Sequence, residues 1–199
     1  MTLNRRSLAL VGCLALSLWA SQVLAQSAPR VKFTTTQGDV VVELYADKAP
    51  KTVANFLQYV NDKHYDGTIF HRVINNFMVQ GGGYDAQYRE KATRAPVRHE
   101  GREALEAGGP RNTVGTLAMA RTNDPHSATA QFFINVKDNA FLDHTAPTMQ
   151  GYGYVAFGKV VSGMDVVAKI KSVPTGPGGP FPSDVPRAQV VITSATIVK

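Results

Sequence analysis

The chain has 199 residues, 44% of them apolar and 18% charged, with a formal charge of +6 and one cysteine. That length suits a single domain able to bury a core without disulfide or metal staples. The basic residues are scattered, with mild clustering between Arg89 and Arg111. The absence of a basic stripe interleaved with aromatics excludes a nucleic-acid partner.

The N-terminal segment reads as a processing signal. Arg5 and Arg6 precede an apolar run from Ser7 to Trp19, and Val23-Leu24-Ala25 supplies the −3 and −1 positions of a cleavage site. Residues 1–25 are expected to be a cleaved signal peptide, leaving 26–199 as the folded domain. The run is short of the roughly 20 residues that a membrane span needs, so no stable anchor is expected. Leu10-Val11-Gly12-Cys13 resembles a lipoprotein cleavage box, and Arg5-Arg6 partly matches a twin-arginine signal, so lipidation and export route stay open. Removing the segment takes away both arginines, lowering the charge to +4 (6 − 2), and takes away Cys13, so thiol catalysis is not available.

Val31, Phe33 and Thr35 alternate with Lys32, Thr34 and Thr36, the period of a half-buried strand. Gln37-Gly38-Asp39 turns the chain into a second strand, Val40 to Tyr45. Pro50 fits the first turn of a helix whose Val53, Phe56, Leu57 and Val60 share one face. Strand-like runs follow at 68–74, 77–80, 114–120, 131–136 and 154–161, separated by Gly, Pro, Asn and Asp. Gly81-Gly82-Gly83 reads as a tight turn after a strand. Met164, Val167 and Ile170 suggest a second short helix. Thr175 to Pro182 reads as a Gly/Pro loop, and Gln189 to Val198 as the closing strand. Many short strands, two helices and no βαβ rhythm argue for a mainly β fold, a closed antiparallel barrel.

Familiar catalytic patterns are missing. No histidine pair has the i, i+4 metal spacing among His64, His71, His99, His126 and His144. Neither a G-x-S-x-G elbow nor a phosphate loop is present. No metal and no cofactor is expected.

Several long segments do carry information. Phe70-His71-Arg72-Val73-Ile74-Asn75-Asn76-Phe77-Met78-Val79-Gln80-Gly81-Gly82 is one, and Gly115-Thr116-Leu117-Ala118-Met119-Ala120-Arg121 another. Ser127-Ala128-Thr129-Ala130-Gln131-Phe132-Phe133-Ile134, Phe141-Leu142-Asp143 and Tyr154 to Val160 follow in order. Together they resemble the signature segments of cyclophilins, and the resemblance runs from Val31 to Val198. With the signal peptide, Phe141 and Tyr154, the chain looks most like the periplasmic cyclophilins of Gram-negative bacteria.

The resemblance implies an eight-stranded barrel capped by two helices, acting in the periplasm as a peptidyl-prolyl cis-trans isomerase on proline-containing peptides and unfolded or partly folded proteins; the sequence is silent on oligomeric state, and a monomer is the default. Arg72 then matches the catalytic donor, and Gln80 and Gln131 match polar positions expected to hold the substrate carbonyl and Arg72. Phe77, Met78, Phe133 and Leu142 match the proline pocket, with Phe141 and Tyr154 at its rim. Ala120 and Arg121 match positions where the peptide is bound, Arg121 through its backbone, and His71 is adjacent to the site. Many members carry Trp where this chain has Phe141 and His where it has Tyr154. A phenyl ring cannot donate a hydrogen bond as indole can, so weak binding of the inhibitor cyclosporin is expected. A binding module that holds Pro-containing segments without turning them over would use the same pocket; only catalysis requires Arg72.

Overall fold

The computed structural model describes residues 27–198. The expected signal peptide and its cleavage site lie outside them. The elements run β1 (Arg30–Thr35), β2 (Gly38–Leu44), α1 (Pro50–Asn61), β3 (Thr68–Ile74), β4 (Met78–Asp85), α2 (Gly101–Glu106), β5 (Thr116–Met119), β6 (Phe132–Asn135), β7 (Ala156–Ser162), α3 (Met164–Lys171), β8 (Thr175–Gly178), β9 (Phe181–Pro186) and β10 (Val191–Val198). Eight strands close into a barrel in the order β1-β10-β3-β4-β6-β5-β7-β2. All eight pairings are antiparallel, as the strand pattern predicts. Closure leaves this sheet no free edge.

The pleat sends alternate side chains inward. Val31, Phe33, Val40, Val42, Phe132, Ile134 and Phe157 fill the interior with Phe56 of α1. Phe33 stacks on Phe132 with centroids 5.1 Å apart, and Phe56 meets Phe157 edge-on at 5.1 Å. Each such burial stabilises by about 1.5–3 kcal/mol, and each aromatic pair adds about 0.5–1.5 kcal/mol. α1 lays Val53, Phe56 and Val60 on this core, and α3 adds Val166, Val167 and Ile170. No residue beside α1 caps its N-terminus. Instead the buried carboxylate of Glu100 accepts from the main-chain N–H groups of Lys51 (3.1 Å) and Thr52 (2.7 Å) and from the Thr52 hydroxyl (2.8 Å). That contact satisfies orphan donors of the helix and pins the long 86–115 connection to α1.

Three expectations need correction. A third helix, α2, exists; its six residues bury only Gly101 and Ala104, too few for a periodic pattern. The Gly/Pro stretch is not a loop but the start of a two-stranded sheet, β8–β9. Its Gly and Pro residues mask the period of two, and the hairpin is anchored by Phe181 against Tyr84 at 5.0 Å and by the buried Val185. Gly81–Gly83 lies inside β4 rather than in a turn. There β4 carries extra residues between the Thr68–Asp85 and Phe70–Gly81 pairs, a bulge that Gly82 allows with φ +85°. A Cβ on Gly82 would stand 2.9 Å from the Tyr65 ring, and one on Gly83 2.5 Å from the Gln131 side chain.

Candidate active site

The outer face of the same wall carries a second, smaller apolar cluster. Met78 of β4, Ala118 of β5, Phe133 of β6 and Ala156 of β7 gather there with Leu142, and Ile74, Phe77, Ala120 and Tyr154 pack around them. Their inward neighbours Val79, Leu117, Met119, Phe132, Ile134 and Phe157 belong to the core. Strict alternation therefore builds two apolar surfaces from one set of strands.

A bulge in β3 puts Arg72 on the outer one. Phe70 pairs with Gly81 and Arg72 with Gln80, so β3 advances two residues while β4 advances one. His71 is the extra residue. Phe70 and Val73 consequently both stay in the core, while Arg72 stands opposite Gln80 on the outer face. Without the bulge, strict alternation would set residue 72 on the inner face with residue 70. Bulges re-aim side chains in this way beside functional sites.

The resulting hollow of about 180 Å³ is lined by Arg72, Phe77, Met78, Gln80, Ala120, Arg121, Phe133, Leu142 and Tyr154. Its base is apolar: Met78, Phe133 and Leu142 are buried. Its edge is polar. Arg72 is exposed, and among the described residues its guanidinium forms no hydrogen bond or ion pair. Neither glutamine holds it, against expectation: the Gln80 amide donates instead to Gln131 Oε1 at 3.0 Å. Gln131 lies one bond behind the hollow, in an adjoining cavity that also borders Gln80, Ala120 and Arg121. Gly83, lacking a side chain, leaves the room that Gln131 occupies.

Phe141 stands at the rim, exposed and stacked on Phe77 with centroids 5.8 Å apart. Tyr154 meets Phe133 edge-on at 5.5 Å, and the Arg121 guanidinium lies 4.7 Å over the Tyr154 ring. The Arg121 side chain also donates to the Gly153 carbonyl (2.9 Å) and the Thr122 carbonyl (2.8 Å). It thus ties two loops together, beyond the backbone role expected of it. His71 is not brought to the hollow. The bulge turns it under the β8–β9 hairpin, against Tyr84 (4.8 Å) and Phe181 (5.3 Å). Its Nδ1 is buried without a hydrogen-bond partner. Burial pushes the imidazole pKa down to about 4, opposed by the Ile69 backbone and reinforced by the charge of Arg72.

Behind the apolar wall lies a polar network that sequence reasoning missed. The Asn112 side-chain amide donates to the carbonyls of Leu142 (3.2 Å) and Tyr154 (3.2 Å) and to Asp143 Oδ1 (3.0 Å). The Asn139 amide donates to the Phe77 carbonyl (2.9 Å) and to Asn135 Oδ1 (2.8 Å). Asn135 in turn donates to Asn112 Oδ1 at 3.2 Å. Buried polar groups satisfied in this way rigidify what they hold, here the main chain of three residues lining the hollow. Asn135 is the one that sequence could have flagged, since Asn is depleted in strands and this one ends an apolar run.

The arrangement offers an apolar recess for a small ring beside an unpaired guanidinium. It contains no nucleophile–base pair, and among the described residues no three metal-ligating side chains stand together. Residues 30–197 match the family described as cyclophilin type peptidyl-prolyl cis-trans isomerase/CLD. The chain is 53% identical over 167 residues to peptidyl-prolyl cis-trans isomerase B of Escherichia coli, covering 84% of this chain and 98% of that protein. It is 47% identical over 191 residues to peptidyl-prolyl cis-trans isomerase A of Dickeya dadantii, covering 96% of each. Among solved structures, a Cryptosporidium parvum cyclophilin type isomerase superposes with a TM-score of 0.64 at 25% identity, over 86% of this chain and 98% of that one. A match that spans the barrel from its first strand to its last, with relatives about half identical, settles the matter: this chain belongs to the cyclophilin-type peptidyl-prolyl cis-trans isomerases and is an isomerase enzyme.

Proposed function

We propose that the chain accelerates rotation about X–Pro bonds in exported polypeptides and so assists their folding in the periplasm, with Arg72 as the catalytic group and Gln80 beside it. Resonance holds the peptide bond planar behind a barrier of about 18–20 kcal/mol. Uncatalysed X–Pro exchange therefore takes about 10–100 s. In the twisted transition state that resonance is lost, and the prolyl nitrogen regains a lone pair. A donor aimed at this nitrogen bonds more strongly there than in the planar ground state, which is the condition for raising the rate.

One observation carries the reading: the Arg72 guanidinium, free of any partner among the described residues, borders a recess based on Met78, Phe133 and Leu142. A guanidinium stays protonated and presents a fixed fork of N–H groups. The proline ring would fill the recess, Phe77 and Phe141 flanking it, with the Gln80 amide and the backbone at Ala120 and Arg121 holding the peptide. A relative from Cryptosporidium parvum was solved in the presence of the dipeptide Ala-Pro, which supports proline-containing peptides as the substrate class. The basic, apolar N-terminal segment ending at Ala25 supports export. Bringing exchange from tens of seconds to milliseconds needs about 10⁴-fold, near 5.5 kcal/mol. One charge-assisted hydrogen bond supplies about 1.5–3 kcal/mol; desolvation of the amide and preference for the twisted geometry supply the remainder.

The test is a protease-free isomerisation assay on a Pro-containing peptide. Arg72→Ala should reduce kcat/KM by about 10- to 150-fold, the rate equivalent of that hydrogen bond, while peptide binding falls far less. Unchanged turnover in Arg72→Ala would remove residue 72 from the mechanism. For the cellular role, the same variant should lose the ability to restore folding of exported proteins in a strain lacking the gene; full restoration would mean that holding, not turnover, matters. N-terminal sequencing of the exported form should read from Gln26.

A further inference from the structure

The loop that carries Tyr154 borders a second hollow, of about 220 Å³, which shares no lining residue with the proline recess. Tyr152 stands in its wall with three imidazoles around it: ring centroids of His99, His126 and His144 lie 5.5, 5.5 and 5.7 Å away. Arg98, Arg102 and Glu103 complete the polar lining.

Hydrogen bonds fix the tautomer of each ring. His99 Nδ1 accepts from the Gly101 N–H at 3.0 Å, so its proton sits on Nε2, which faces the Gly153 carbonyl at 3.3 Å. Both nitrogens are thus occupied, and burial holds the ring neutral with a pKa of about 4. His126 Nδ1 accepts from the His99 main-chain N–H at 3.2 Å. Its proton therefore sits on Nε2, a donor with no acceptor among the described residues. His144 Nδ1 lies 3.1 Å from the Tyr152 carbonyl, which can only accept. This places the His144 proton on Nδ1. Among the described residues Arg98 has no acceptor, and Arg102 has only a long, exposed contact of 3.8 Å with Glu106.

The hollow therefore offers donors in excess. Two guanidinium groups outweigh the single carboxylate of Glu103, which disfavours a divalent cation, and among the described residues no set of three metal ligands is assembled. We propose that this hollow binds a small oxyanion, a carboxylate or a tetrahedral dianion, through the Arg98 guanidinium and His126 Nε2–H. The groups around His144 are the rings of His99, His126 and Tyr152 and the charges of Arg98, Arg102 and Glu103.

The experiment is a titration of the protein with sodium sulfate and, separately, sodium acetate, followed by amide NMR shifts at constant ionic strength. One saturable site is expected, with shifts centred on His99, His126 and Tyr152. Response to sulfate alone identifies a tetrahedral dianion, and response to acetate a carboxylate; either supports the site. Arg98→Gln, at an exposed position, should weaken binding at least fivefold with isomerase activity unchanged. Shifts that fail to saturate, or that are identical in Arg98→Gln, would overturn the proposal. So would zinc chloride saturating the same histidines where neither anion does.

Discussion

Phe132 and Phe133 are neighbours on β6, yet they serve opposite surfaces. Phe132 faces inward and touches the rings of Phe33, Phe56, Tyr65 and Phe70. Phe133 faces outward, meets Tyr154, and bounds a recess that stays open. The inner cluster is packed on all sides, whereas the outer one has an apolar base and no lid. A finished core stabilises the fold; an unfinished one leaves apolar surface whose burial can be completed only by a ligand. The β3 bulge extends the contrast, because it lets Phe70 and Val73 remain inside while Arg72 stands outside.

Truncating the two phenylalanines is the strongest way to break this comparison. Phe132→Ala should cost about 3–5 kcal/mol of stability, the range for a buried aromatic replaced by a cavity. Phe133→Ala should cost about half as much, since the space it vacates opens onto an existing hollow, yet it should lower kcat/KM at least tenfold by removing the base of the recess. Chemical denaturation and the isomerisation assay, run on both variants, measure the split. Equal losses of stability and equal losses of activity would dissolve the distinction between the two faces.

The bulged residue itself gives a smaller effect, in stability against pH. His71 has a folded pKa depressed to about 4, below the unfolded value of about 6.5. The unfolded chain therefore binds the proton first as pH falls. His71 contributes nothing adverse above pH 6.5, and stability is lost as pH drops from there toward 4. Linkage puts the loss between pH 7 and pH 5 at about 2 kcal/mol for this group. His71→Gln, which cannot titrate, should flatten the urea-unfolding profile by that amount across the window. A variant with the wild-type pH dependence would show that His71 is not held neutral under the β8–β9 hairpin.

The barrel was legible because its strands alternate and its first helix keeps one apolar face. The proposed site was suggested only through family motifs, since no spacing rule announces a mechanism that works by stabilising a twisted amide. What stayed hidden has physical causes. Period-two reading breaks at a bulge, so His71 looked like a neighbour of Arg72 in the site when it faces elsewhere. Gly81–Gly83 carries the composition of a turn, yet serves as the stretch of strand over which Gln131 lies. In β8–β9, Gly and Pro hide the alternation, although Phe181 and Val185 help hold the hairpin down. Asn112 and Asn139 resemble loop punctuation in sequence, Asn135 ends a strand, and the three become a buried network only when the chain closes.

The smallest expected effect concerns the rim. Phe141 is the most exposed of the rings around the recess and lies almost parallel to Phe77, at 20°. A phenyl there contributes contact area and no donor; an indole would add one N–H at the edge of the opening. One neutral hydrogen bond is worth about 0.5–1.5 kcal/mol, so Phe141→Trp should tighten inhibition by cyclosporin by about 2- to 12-fold while kcat/KM on a short Pro-containing peptide changes little. Inhibition constants measured on both proteins decide it. If the variant binds cyclosporin no better, sensitivity is set on the opposite rim, where Tyr154 is clamped beneath the Arg121 guanidinium. A rim ring held in that way cannot swing aside for a bulky cyclic ligand, and Tyr154, not Phe141, would then be the residue that separates turnover of extended peptides from capture of the inhibitor.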